Sequence, residues 1–146
     1  VTKKDRRLPA NIDSERVVLG ELMLNNAAWE KAQVLTDDDF SLASNQRIFA
    51  CIRSRLAIKR PIDLILLIDA MKRQNELDVI GGPAYLCSLT EDNMRNLAIM
   101  EHIELLKEKA ALRHILTVCH DATLLAYKEE SSEEIINKIK DELGGK

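Results

Sequence analysis

Gly81-Gly82-Pro83-Ala84-Tyr85-Leu86 is the stretch whose reading decides the fold. It follows an apolar run that opens with Pro61-Ile62-Asp63 and closes with Glu76-Leu77. Leu77 ends one helix, and the paired glycines supply a positive-φ turn. Pro83 then starts the next helix, where its missing N–H breaks no intrahelical bond. A stop, a turn and a start fall within a few residues, so the geometry between the two helices is tightly restricted. Tyr85, Leu86 and Leu89 are predicted to face inward, with a loop from Thr90 to Asn93.

Upstream, Asp63 is a good N-cap for the helix that carries Ile65, Leu66, Ile68 and Met71. The run Leu64 to Ile68 is apolar on all sides, which places such a helix either centrally in a core or against a partner. The preceding helix is predicted to start at a Ser44 cap and to bury Ile48, Phe49, Ile52 and Leu56, and Pro61 closes its exit. Further back, Asp13 or Ser14 caps a helix with the stripe Val18, Leu19, Leu22 and Met23. Asn25-Asn26 breaks it. A short helix with Trp29, Ala32 and Leu35 follows, then an Asp37-Asp38-Asp39 turn anchored by Phe40.

Downstream, Leu97 to Lys128 contains no glycine and no proline. At 1.5 Å per residue this is roughly 45 Å of helix, longer than a small domain about 30 Å across, so it should project. Its apolar residues are too many for one stripe. Ile99, Ile103, Leu106 and Ala110 form one face, and Leu105, Leu112, Leu116 and Cys119 another. Lys128 to Ser132 is a polar turn, and Ser131 with Glu134 has capping-box spacing. The last helix presents Ile135, Ile136, Ile139 and Leu143. It is short, and it gains stability by folding back as an αα-hairpin. A two-helix hairpin cannot bury both faces alone, so pairing with a second copy is expected. The predicted fold is therefore all-α: a small helical globule over residues 1–96, then a long helix and protruding helical hairpin over 97–146 used for self-association.

Composition fits this reading. Among 146 residues, 46% are hydrophobic, 31% charged and 3% aromatic. That is the profile of a folded domain rich in helix formers. A net charge of −3 argues against a protein whose main task is gripping phosphate backbone. Two basic groups remain: Lys3, Lys4, Arg6 and Arg7 at the front, read as a solvated terminus, and Arg53, Arg55, Lys59 and Arg60 near a helix end. The second group suits a helix C-terminus electrostatically, and it is also the candidate nucleic-acid contact of a competing reading. Three scattered cysteines, Cys51, Cys87 and Cys119, form no CxxC pair and read as small buried hydrophobes in a reducing, cytoplasmic compartment. No signal peptide is present, and no apolar run approaches the ~18 residues of a membrane span. The chain opens at Val1 and stops at Gly144-Gly145-Lys146, which reads as a piece of a longer protein.

Chemistry is hard to find. Neither a G-x-x-x-x-G-K-[ST] loop nor a G-x-G-x-x-G turn occurs, so this stretch is not expected to bind ATP in the usual way. His114, Cys119 and His120 look like a cluster. On a helix, however, Cys119 and His120 point about 100° apart, and no metal-ligand spacing supports them. Exposed or hairpin-interface positions are expected for His102, His114 and His120. The three aspartates lack the rest of an EF-hand pattern and read as a solvated turn. Trp29 reads as a core or rim side chain, with base stacking as the competing role. No catalytic, cofactor or metal residue is assigned.

Four segments resemble the amino-terminal domain of bacterial replicative DNA helicases of the DnaB family. They are Leu8-Pro9-Ala10-Asn11 with Glu15 and Val18-Leu19-Gly20; Asp39-Phe40 with Gln46-Arg47-Ile48-Phe49; Pro61-Ile62-Asp63 through Gly81-Gly82-Pro83-Ala84-Tyr85-Leu86; and Lys107-Glu108-Lys109-Ala110 with Leu112-Arg113. They span about residues 8–125. Asn93-Met94 and Glu101-His102 depart from the Thr-Pro step and aromatic residues frequent there in the family. The resemblance implies a non-catalytic collar domain in DNA replication. Hairpins pair between subunits, three pairs build a collar on a hexameric ring, and primase docks on it through its helical carboxy-terminal domain. A helicase loader or initiator is a further partner on this reading. ATP, Mg²⁺ and most DNA contact belong to a RecA-like ATPase domain that would follow this chain. The competing readings are a nucleic-acid-binding helical module built on Arg53, Arg55, Lys59 and Arg60, and a small enzyme with an unrecognised site.

Overall fold

The computed structural model describes residues 7–91 and 98–144, and among them every regular element is helical. The helices are α1 Ile12–Leu24, α2 Trp29–Ala32, α3 Ala43–Leu56, α4 Leu64–Arg73, α5 Gly82–Glu91, α6 Ile99–Tyr127 and α7 Ser132–Gly144, with single 3-10 turns at Asn26–Ala28 and Asp37–Asp39. The all-α class is thus the observed one. The chain divides into two compact units, Ala10–Ala110 and a second that joins residues 7–9 to 111–144. The unit boundary differs from the expected division at residue 96 by the first turns of α6. Ile99, Ile103 and Leu106 are buried with the core of the first unit. Lys3, Lys4, Arg6, Asn93, Met94 and the terminal Gly145-Lys146 lie outside the described residues.

Helix starts follow local hydrogen bonding. Asn11, rather than Asp13 or Ser14, caps α1: its Oδ1 accepts from Ser14 N at 3.0 Å. All three residue types cap well. The choice is tertiary, because Ser14 is buried and its hydroxyl shares a 2.9 Å hydrogen bond with Nδ1 of His102. That bond also corrects the expectation of an exposed or hairpin-interface His102. Helix α3 starts after Leu42 with no side-chain cap, so Ser44 lies inside its first turn. Asp63 caps α4 as read, accepting from Leu66 N at 2.8 Å. Helix α4 is one-sided, not apolar-buried all round: Leu67 and Met71 are fully buried and Ile65 is 76% exposed.

Helix ends are closed by one recurring device. After α3, Arg60 N donates to Arg55 O and Lys59 N to Leu56 O, both at 3.0 Å. After α4, Glu76 N donates to Met71 O at 2.9 Å and Asn75 N to Lys72 O at 3.1 Å. These are Schellman closures, which need a left-handed residue just past the helix. Lys59 and Asn75 supply it with φ of 59° and 56°. At the glycine pair, Gly82 N donates to Leu77 O at 2.9 Å, and Gly81 and Gly82 have φ of 108° and 73°. A Cβ on Gly81 would meet Tyr85 Cβ at 3.0 Å, so both conformation and space select glycine there. Helix α5 continues through Glu91, and Thr90, expected in a loop, is helical with its hydroxyl bonded to Cys87 O at 2.8 Å.

The core of Ala10–Ala110 gathers Val18, Leu19, Leu22, Phe40, Ile48, Phe49, Ile52, Leu67, Met71 and Leu86 at zero exposure. Phe40 stacks on Phe49 with centroids 4.7 Å apart, and Trp29 packs against Phe49 at 6.3 Å. Within this core sits a buried carboxylate, Glu15. It accepts from Ser41 N and Asn45 Nδ2 at 2.7 Å each and from the Ser41 hydroxyl. Tyr85 OH donates to Asn45 Oδ1 at 2.6 Å, and the Arg16 guanidinium lies 5.5 Å from the Tyr85 ring centre. A satisfied network of this kind fixes how α1, α3 and α5 meet. The triple aspartate is likewise not simply solvated. Asp39 is buried, accepts from Thr36 N at 2.7 Å and pairs with Lys107 at 2.7 Å.

Candidate self-association surface

The second unit is built on the later part of α6 and on α7. The turn between them repeats the Schellman closure: Glu129 has φ of 59°, and Glu130 N donates to Leu125 O at 3.2 Å. Val118, Ala122 and Leu125 of α6 and Ile135 and Ile139 of α7 line a narrow cleft between the helices with no room for water. The Nε2–H of His114 donates to the Glu142 carbonyl at 3.1 Å, closing the open end of the hairpin. Arg113 donates to Pro9 O at 2.8 Å, which ties the described amino-terminal residues to the same unit.

The other side of α6 is uncovered. At about 100° per residue, Leu112, Leu116 and Cys119 share one face, turned by at least about 100° from Val118 and Leu125. Leu112 is half-buried, Leu116 is 48% exposed and Cys119 is exposed. Ile115, Leu124 and Tyr127 add further open apolar surface, with Tyr127 84% exposed. The hydroxyls of Thr117 and Thr123 donate back to Arg113 O and Cys119 O. On α7, Ile136 is turned about 100° from Ile135 and is 50% exposed, and Leu143 is 39% exposed. Among the described hydrophobics of this unit, only Val118 is buried. A helix apolar on two sides with one side covered is a surface that another helix pair can bury.

The residues assigned from sequence thus fall into three groups. Leu112, Leu116 and Cys119 share the open face of α6, and Ile136 and Leu143 are exposed on α7. Ile135 and Ile139 face the inner cleft of their own hairpin. Leu105 belongs to the first unit and is 40% exposed. Ile115, Leu124 and Tyr127 were missed, although continuing the helical wheel beyond Cys119 brings Tyr127 to the edge of the same face. The three cysteines are not alike. Cys51 is buried, Cys87 half-buried and Cys119 exposed, which corrects the reading of all three as buried hydrophobes. Burial pushes the Cys51 thiol above the usual range, against a lowering by Arg55.

The basic group near the end of α3 is partly committed. Arg53 grips Asp37 through Nε and Nη2 at 3.2 and 3.0 Å, and Arg55 Nε donates to Pro61 O at 3.1 Å. Lys59 and Arg60 form no such bonds. Among the described residues, no three His, Cys, Asp or Glu side chains come together to hold a metal ion. No helix among them is long and apolar enough to cross a membrane.

A helical core unit followed in sequence by a helical hairpin with an exposed apolar face defines an all-helical domain with no strand among its described residues. Residues 7–108 match the family described as the DnaB-like helicase N terminal domain, and the chain belongs to that family. It is similar to the replicative DNA helicase DnaB of Pasteurella multocida (strain Pm70), 30% identical over 126 residues, which are 86% of this chain and 27% of that protein. To the replicative DNA helicase DnaB of Buchnera aphidicola subsp. Baizongia pistaciae it is 29% identical over 133 residues, 89% of this chain and 29% of that protein. The chain therefore spans less than a third of the length of these curated relatives. In fold it is similar to the N-terminal domain of DnaB helicase from Mycobacterium tuberculosis, with a TM-score of 0.87 at 21% identity, covering 96% of this chain and all of that one. A DnaB-like replicative helicase, whose structure was described together with its interactions with primase, gives a TM-score of 0.73 at 17% identity over 90% of this chain and 31% of that one.

Proposed function

We propose that this chain is the amino-terminal assembly domain of a cytoplasmic replicative DNA helicase. It pairs hairpin to hairpin with a second copy, and three such pairs form the collar of a hexamer that docks primase and receives a loader or initiator. The observation that carries the reading is the uncovered face of α6 at Leu112, Leu116 and Cys119, with Ile136 and Leu143 also exposed on α7. Exposed apolar surface of this kind, on a helix whose other side is already packed, is stabilised by association. The family match and the primase-related fold neighbour support primase as a partner. ATP and Mg²⁺ belong, on this proposal, to a RecA-like domain outside this chain. The sequence here has no phosphate loop.

Mixing the chain with the helical carboxy-terminal domain of primase tests the docking part. Sedimentation velocity should show a new, faster species that contains both. Self-association without any mixed species would refute primase docking while leaving the assembly role standing.

A further inference from the structure

The exit from α3 forms one wall of a groove that the assembly reading does not use. Lys59 and Arg60 sit on the Schellman turn, and the Arg55 guanidinium holds the Pro61 carbonyl. Opposite, Asn26 spends its whole amide on the backbone: Nδ2 donates to Leu22 O and Ile62 O at 2.8 Å each, and Oδ1 accepts from Ile62 N at 3.0 Å. Both walls are therefore pinned before any ligand arrives, which lowers the ordering cost of binding.

Between the walls lies a cavity of about 290 Å³. Ala27, Trp29, Leu56 and Pro61 give it an apolar lining, and Lys59 and Arg60 stand at its rim. Among the described residues, no carboxylate lines it. Both rim side chains are exposed, and among the described residues neither cationic head group has a hydrogen-bond or ion-pair partner. The lining takes an apolar side chain, and the rim takes negative charge. A polynucleotide fits less well, because it needs a longer cationic track. The arginines that would extend this one, Arg53 and Arg55, are tied to Asp37 and to the Pro61 carbonyl. The chain as a whole carries −3.

We propose that this groove captures a short acidic segment of a partner protein, with one apolar side chain against Trp29 and its flanking carboxylates on Lys59 and Arg60. All of its residues lie in Ala10–Ala110 and none in the hairpin unit, so the proposal is independent of how the hairpins pair.

Trp29 is the sole tryptophan of the chain, so its indole reports on the groove directly. The probe is an acetylated, amidated pentapeptide with a central phenylalanine and two glutamates on each side. It is titrated into the intact chain while the Trp29 indole N–H signal is followed by NMR. Saturable movement with a dissociation constant on the order of 0.1–1 mM is expected. The same peptide with glutamines in place of glutamates should bind at least about tenfold more weakly. The double variant Lys59→Glu/Arg60→Glu, whose changes are confined to exposed side chains, should lose the glutamate peptide and bind its lysine counterpart. The proposal is overturned if the indole does not move, if the glutamine peptide binds equally well, or if oligothymidylate binds and the glutamate peptide does not.

Discussion

The two compact units close their surfaces to different degrees. In Ala10–Ala110, helices from distant parts of the chain drive ten large side chains to zero exposure, and even a carboxylate, Glu15, is buried with its partners in place. Among the described residues of the hairpin unit, Val118 is the one buried hydrophobic residue, and α7 buries none. The chemistry of the residues is similar in both, so the difference is one of geometry. Five helices can surround a core, but two helices share a single seam. The difference teaches that five helices bury their apolar side chains among themselves, while a two-helix hairpin leaves apolar surface exposed.

Substitutions should separate the two units sharply. Phe49→Ala, which empties the stack with Phe40 and the contact with Trp29, should lower unfolding free energy by about 3–5 kcal/mol in urea titrations. The thiols give the next contrast. Cys51 is buried, with burial pushing its pKa up, so less of it is thiolate at any given pH. Cys119 is exposed and should react with an aromatic disulfide at least about 100-fold faster, a ratio read by mass spectrometry of partly labelled chain. Raising the protein concentration should slow Cys119 selectively, and equal rates for the two thiols would erase the contrast. Glu15→Ala leaves Ser41 N and Asn45 Nδ2 without their acceptor and should cost about 2–3 kcal/mol by thermal or urea unfolding. Gly81→Ala combines a positive φ with the 3.0 Å approach to Tyr85 Cβ and should cost about 1–2 kcal/mol in the same measurement.

Much of this contrast was legible in the residues. The Asp63 cap, the Gly81-Gly82 turn and the apolar excess after Leu105 depend on local rules of capping, φ and helical period, and the structure follows them. Other features depend on partners far away in sequence. Asn11 caps α1 because Ser14 is drawn to His102, a residue 88 positions later. Asp39 is buried because Lys107 reaches it. Glu15 could not be told from an ordinary acidic residue in a first helical turn, because Ser41 and Asn45 come to it only in the fold. The stripe Ile135, Ile136, Ile139 and Leu143 was visible as apolar, but its division between an inner seam and an open face depends on the angle at which α7 meets α6. Periodicity alone does not contain that angle.

The central claim is that the uncovered face of α6 is where a second copy binds. Sedimentation equilibrium of the unmodified chain and of Leu116→Glu tests it most directly. Leu116 is 48% exposed and outside the inner seam, so the substitution spares the hairpin itself, whereas Ile139→Glu would strike the cleft between α6 and α7. The account predicts a concentration-dependent dimer or larger assembly for the unmodified chain. It also predicts a dissociation constant raised on the order of 100-fold in the variant, since a two-fold interface meets the charge twice. A strict monomer at tens of micromolar, a rough working range for weak interfaces, or an assembly indifferent to Leu116→Glu, would contradict it.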